Sequence, residues 1–144
     1  MKSNSPGETE EAGYEIGRRL KAGDTVALYG DLGTGKTTMV KGIARAFGIA
    51  GRDVTSASFT IIAEYRSDPP FFHVDLYRIE TERDVDGTGI WDFIGKGSVA
   101  VIEWAEKLGD QLTRDFIRVY ISAAGEDRRE IRIEGLDEED WNNL

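Results

Sequence analysis

An α/β fold is predicted from this sequence: a mixed β-sheet with a parallel core and antiparallel hairpins, flanked by helices. Three observations carry that reading. Thr25 to Tyr29 is a short, apolar, β-prone run that stops at a glycine-rich turn and is followed directly by an amphipathic helical stretch. Residues 99–102 are apolar without interruption, the pattern of a strand covered on both faces. Two further pairs of strand-like segments have connectors too short for a helical crossover, so each pair runs antiparallel.

The elements follow in order. Ser5-Pro6-Gly7-Glu8 has the form of a capping box with proline at the first helical position, and Ala12, Ile16 and Leu20 recur at helical spacing up to Lys21. Ala22-Gly23-Asp24 ends that helix. After the strand at 25–29 comes the turn from Gly30 to Gly35, and then a helix over 36–47. Its apolar face holds Met39, Val40, Ile43, Ala44 and Phe47, and Gly48 closes it. Strands over 60–65 and 71–77 pair through Arg66-Ser67-Asp68-Pro69-Pro70. Residues 80–97 are polar and glycine-punctuated, with a weak helical signal around Ile90, Trp91, Phe93 and Ile94. The strand at 99–102 ends in Glu103-Trp104. Alternation over 116–122 and 130–134 predicts a closing hairpin, and 137–144 is a short acidic helix or frayed tail.

The chain has 144 residues, one domain's worth when domains run to roughly 100–200 residues, so residues 1–144 read as a single domain. Eighteen Lys plus Arg against 27 Asp plus Glu leave a net charge of −9, which argues against a broad basic face gripping nucleic acid. The absence of cysteine removes disulfides, thiolate zinc sites and thiol nucleophiles, and one histidine, His73, is too few for a His-based metal site. The metal chemistry left is oxygen-ligated and magnesium-like. The first twenty residues are polar, and no apolar run approaches the ~20 residues of a membrane span, so a soluble cytoplasmic protein is expected.

Gly30-Asp31-Leu32-Gly33-Thr34-Gly35-Lys36-Thr37 matches G-x-x-x-x-G-K-[ST], the phosphate-binding loop, between a strand and a helix as that motif requires. Its glycines permit positive φ and close backbone approach, so successive N–H groups converge on a phosphate at the positive end of the helix. Lys36 brings a point charge to the β- and γ-phosphates, and the Thr37 hydroxyl is the candidate magnesium ligand. Phosphoryl transfer also needs a carboxylate at the carboxyl end of a neighbouring strand. Glu103 is the favoured candidate near the metal and Asp75 the second. Ser56 and Ser58, with Thr60, have the hydroxyls of a γ-phosphate-sensing switch, although on spacing alone a polar loop entering a strand is the better reading. His73 on an apolar strand reads as packed and hydrogen-bonded. Arg128, Arg129 and Arg132 read as solvated hairpin charges, and Trp91, Trp104 and Trp141 as packing. Arg78 is placed to pair with a local acid.

Together these segments resemble one family. The loop through Thr38, Thr55-Ser56-Ala57-Ser58-Phe59-Thr60, His73-Val74-Asp75-Leu76-Tyr77-Arg78 and Ile102-Glu103-Trp104 occur in the order found in the bacterial TsaE (YjeE) family. That resemblance implies a P-loop ATPase of tRNA threonylcarbamoyladenosine biosynthesis. It further implies that Leu32, Gly33, Thr34, Gly35, Lys36, Thr37 and Thr38 wrap ATP, with Thr37 and Glu103 holding Mg2+. Thr9 then lies near the base, Asp75 serves hydrolysis and Arg129 approaches the nucleotide. The implied partners are TsaD-type transferase and TsaB-type proteins, tRNA being reached only through them. Two departures stand out: Thr34 replaces a usual alanine, and Ser56-Ala57-Ser58 lacks the family's usual proline. A small-molecule kinase is the rival enzyme class and a non-catalytic nucleotide sensor the rival binding class. No N-K-x-D segment supports a GTPase, and Asp84-Val85-Asp86-Gly87 is a chance D-x-x-G.

Overall fold

A computed structural model describes residues 1–31, 33–54, 61–111 and 115–136. The predicted α/β class is the observed one. Among the described residues a seven-stranded sheet has the order β1-β7-β6-β2-β5-β4-β3. Its strands are β1 (Lys2–Ser3), β2 (Thr25–Tyr29), β3 (Ile62–Tyr65), β4 (Phe71–Asp75), β5 (Val99–Glu103), β6 (Ile117–Ala123) and β7 (Arg129–Glu134). β4, β5, β2 and β6 form a parallel centre, with β3 antiparallel to β4 at one edge. At the other edge β7 pairs antiparallel with β6, and β1 with β7. β5 is buried at every position, as its unbroken apolar run predicts.

Helix α1 (Pro6–Gly17) starts where expected, with the Ser5 side chain accepting from Glu8 N and proline in the first turn, but the expected box does not close on Ser5, since the Glu8 carboxylate accepts from Asn4 N. It stops short of the expected Lys21. Arg19 and Leu20 donate to Ile16 and Gly17 in tighter i→i+3 bonds, and Lys21 N donates to the Asp24 carboxylate instead. Helix α2 (Lys36–Arg45) stops two residues short of the expected Phe47; a turn leads to left-handed Gly48, where Gly48 N donates to Arg45 O and Ile49 N to Ala44 O. The expected strand over 71–77 ends at Asp75, because Tyr77 N donates to Asp75 Oδ1 and the chain turns.

Besides β1 and a 3₁₀ turn over Gly51–Asp53, two further elements were not predicted. Helix α3 (Glu82–Asp86) opens with a reciprocal capping box between Thr81 and Asp84, so the D-x-x-G run belongs to a helix. A 3₁₀ segment over Ala105–Gln111 follows β5, and the helical signal near Ile90 resolves into a short 3₁₀ turn, Ile90–Asp92.

The sheet separates two apolar clusters. On one face Val26, Leu28, Val99, Val101, Val119, Ile121 and Ile131 pack with Ile16, Met39, Val40 and Ile43 of α1 and α2. On the other, Ala27, Val74, Leu76 and Ile102 pack with Val85, Ile90, Ala105 and Leu108. The two helices approach through glycine: a Cβ on Gly42 would lie 2.8 Å from Tyr14 N, and one on Gly17 2.7 Å from Ile43 O. That approach sets Thr9 of α1 beside the loop that opens α2.

Candidate active site

The loop after β2 carries the geometry its glycines were read to permit. Gly33 has φ +79° and Gly35 φ +100°, left-handed values that cost an L side chain about 1–2 kcal/mol. Gly35 is the N-cap of α2 and offers no side-chain cap, so the helix's first amides are left for an anion. Thr34 Oγ1 donates to Asp31 O at 2.8 Å and holds the turn. Leu32 lies outside the described residues, as do Ser56, Ser58 and Thr60 of the expected switch, Trp141 and the 137–144 tail.

Lys36, 5% exposed, donates from Nζ to Gly30 O at 2.6 Å and sits 3.7 Å from the centre of the Trp104 ring. Burial pulls its ammonium below the ordinary lysine value, and the charges of Glu103, Glu106, Asp75 and Asp31 oppose that. The two candidate carboxylates end neighbouring parallel strands and are register partners, Asp75 opposite Glu103. Both are buried. Burial raises the Asp75 carboxyl above its usual range, with the Glu103 charge adding to it and the Tyr77 N–H, His73 and Lys36 opposing it. Glu103 Oε2 meets His73 Nε2 at 2.5 Å. A cleft of about 440 Å³ is lined by Gly33, Gly35, Lys36, Thr37, Thr38 and both carboxylates, together with Tyr77, Arg78 and Trp104.

A second hollow of about 170 Å³ lies across the loop, lined by Pro6, Thr9, Gly33, Thr34, Gly35, Thr38, Asp127 and Arg129. Arg129 is no free hairpin charge. Its Nε donates to Thr34 O at 2.8 Å and its Nη2 to Gly33 O at 3.2 Å, so the guanidinium holds two loop carbonyls beside this hollow. Thr9 Oγ1 shares a 2.7 Å hydrogen bond with Ser3 Oγ, which ties α1 to β1. Arg128 is exposed, and Arg132 lies over the Tyr120 ring.

Thr9, Gly33, Thr34, Gly35, Lys36, Thr37, Thr38, Asp75, Glu103 and Arg129 thus converge on one loop from α1, α2, β4, β5 and β7. The expectation that Trp104 only packs is corrected. It stands at φ +59°, turning the chain at the end of β5, and its ring faces both Lys36 and Tyr77. Residue type alone does not encode that turn. Glu106 was also missed; its exposed carboxylate adds to the negative field around Lys36.

The donor set can be tested against a metal. Among the described residues no group of three or more His, Cys, Asp and Glu could hold an ion, so zinc- or calcium-type cages are not built here. One hydroxyl and one or two carboxylates beside a phosphate loop suit magnesium, which keeps waters and takes phosphate oxygens. Thr37, Glu103 and Asp75 fit it.

A strand, a glycine-rich loop and a lysine-bearing helix facing two strand-end carboxylates define the P-loop NTPase-like class of α/β protein. The comparisons narrow the class. The family model "Threonylcarbamoyl adenosine biosynthesis protein TsaE" matches residues 3–131. The Bacillus subtilis tRNA threonylcarbamoyladenosine biosynthesis protein TsaE is 41% identical over 128 residues, covering 88% of this chain and 79% of that one. Its Treponema pallidum counterpart is 33% identical over 131 residues, covering 91% and 96%. A crystal structure of Bacillus subtilis YdiB superposes with TM-score 0.79 at 31% identity, covering 99% of this chain and 88% of that one. The chain belongs to the TsaE family and takes part in tRNA threonylcarbamoyladenosine biosynthesis. Among the described residues, no helix is long and apolar enough to cross a membrane.

Proposed function

We propose that this chain is a Mg2+-dependent ATPase that drives or resets a threonylcarbamoyl-transferase complex of TsaD- and TsaB-type proteins. It does not itself transfer the threonylcarbamoyl group, and it reaches tRNA only through those partners. The observation that carries the reading is the single cleft in which Lys36, Thr37, Asp75 and Glu103 meet around an uncapped helix start. The loop amides and Lys36 bind and orient the phosphates, and Thr37 and Glu103 hold the metal. When bound, magnesium neutralises charge on the phosphoryl oxygens. Glu103 Oε2 is engaged by His73 and Asp75 Oδ1 by Tyr77 N, so each carboxylate has one oxygen left for other work; with Glu103 on the metal, Asp75 is the one to orient water. Thr9 and Arg129 border the hollow suited to the rest of the nucleotide. Preorganised positioning of this kind supplies most of the catalysis in phosphoryl transfer.

The test is phosphate release from Mg·ATP by this protein alone, by TsaB- and TsaD-type partners alone, and by the mixture, with Lys36→Ala as control. Slow turnover that rises in the mixture and vanishes in the variant supports the proposal. Equal turnover in the Lys36→Ala variant refutes it. Tight ATP binding without hydrolysis in any mixture replaces the ATPase with a nucleotide sensor.

A further inference from the structure

We infer that His73 is a positioning residue for Glu103, fixing one carboxylate oxygen so that the other is presented to the metal; the inference rests on the nucleotide-and-metal reading above. His73 has no exposed surface, and Nε2 lies 2.5 Å from Glu103 Oε2. Its other nitrogen, Nδ1, is buried with no hydrogen-bond partner among the described residues. Among the described residues the imidazole therefore makes one polar contact, and that contact is Glu103. An apolar side chain would fill this place in β4 without leaving a buried nitrogen unpaired, so core filling does not explain a histidine here. The tautomer follows from the same geometry. A carboxylate only accepts, so Nε2 carries the proton and donates.

The strand register explains why the histidine falls there. Asp75 is opposite Glu103 and His73 opposite Val101, so His73 and Asp75 lie one pleat apart on the sheet face that Glu103 shares. His73 meets Glu103 from below while the cleft opens beside Asp75 above. A glutamate has three side-chain torsions, and Lys36 contributes an attractive charge that would draw it aside. A hydrogen bond from a fully buried ring removes that freedom, as partners of metal-bound carboxylates do elsewhere.

The experiment measures ATP dissociation constants by calorimetry in EDTA and in saturating Mg2+, the ratio being the metal-dependent gain. Chelation of Mg2+ by ATP itself cancels between variants. For His73→Leu the expected result is a gain lowered about 10–100-fold with the EDTA constant unchanged. His73→Gln, whose amide donates from near the Nε2 position, restores the gain. In a Glu103→Gln background His73→Leu lowers nothing further. Should the leucine variant not fold, His73→Asn, too short to reach Glu103, takes its place in the same comparison. A full gain in His73→Leu, equal losses in His73→Gln and His73→Leu, or a loss that persists in the Glu103→Gln background each overturns the inference while leaving the nucleotide reading intact. A wild-type protein whose ATP affinity does not respond to Mg2+ overturns both.

Discussion

Gly42→Ala tests the helix pair that carries the loop. A Cβ at this position would lie 2.8 Å from Tyr14 N and 2.9 Å from the Glu10 carbonyl carbon, and closer still to the Glu10 oxygen. All three are α1 backbone atoms, so no side-chain rotation makes room. The helices must separate by about an ångström to reach ordinary contact, and a gap of about 0.5–1 Å forfeits a quarter to a half of a dispersion contact. Ile16, Met39 and Ile43 lie with no exposed surface in the core beneath these helices. At about 2 kcal/mol per buried side chain, a quarter lost from each is about 1.5 kcal/mol, and overpacking adds about 1–3 kcal/mol. Replacing a helical glycine with alanine returns about 1 kcal/mol. The net loss of about 1.5–3.5 kcal/mol lowers Tm by about 3–14 °C at this chain length. Urea denaturation followed by circular dichroism measures it, with Gly7→Ala as control. There the Cβ meets only Ser5 Oγ at 3.8 Å, so the control is neutral or gains up to about 1 kcal/mol. A Gly42→Ala protein that melts at or above wild type refutes the steric argument.

Asp75→Asn is expected to stabilise the free protein at neutral pH and, on the proposed function, to remove ATP hydrolysis. Burial raises this carboxyl in the folded state, so the folded chain holds the proton to higher pH than the unfolded one, and stability falls as pH rises through that window. The variant's advantage in melting temperature should vanish below the ordinary carboxylate range; an advantage that persists there contradicts this cause. Arg129→Ala frees the Thr34 and Gly33 carbonyls and is expected to weaken ATP binding by about 5–30-fold, a loss of about 1–2 kcal/mol for charge-assisted bonds that are partly exposed. An unchanged dissociation constant by calorimetry would show the contact to be idle. Thr81→Ala breaks the α3 capping box and costs about 1 kcal/mol in chemical denaturation. ATP affinity should not change in that variant, since α3 packs on the sheet face away from α2.

What could be read from the sequence was what local chemistry determines. The Ser5 cap, the phosphate loop, the unbroken β5 run and the two antiparallel pairs each depend on residues within a few positions of one another, and each is present. β1 is two residues long and exists only because β7 offers an edge, so no local pattern could announce it. The α3 box was legible: Thr81 followed three residues later by Asp84 is a start signal, obscured by the glycines around it. Arg129 was ambiguous for a different reason. Three arginines lie within five residues of each other, and only the hairpin register decides which one faces the loop. Trp104 depended on a left-handed backbone at the end of β5, a conformation its side chain disfavours.

That conformation bears on how the site works. A non-glycine residue in the left-handed region costs about 1–3 kcal/mol and persists only where its surroundings hold it. Here the ring lies 3.7 Å from Lys36 Nζ and 5.3 Å from the Tyr77 ring, at the mouth of the cleft. In the free protein the Lys36 ammonium is satisfied from two sides, by Gly30 O and by the Trp104 ring, and it is already desolvated. A phosphate that reaches Lys36 need not strip water from it, and gains a charge-assisted bond in a poorly screened site. Asp31, Asp75, Glu103 and Glu106 set the opposite bias, a negative field that any nucleotide entering must overcome. A cation that neutralises Glu103 removes part of that field. The carboxylates that make the free cleft unwelcoming to phosphate are thus the groups through which metal and nucleotide would bind together rather than singly.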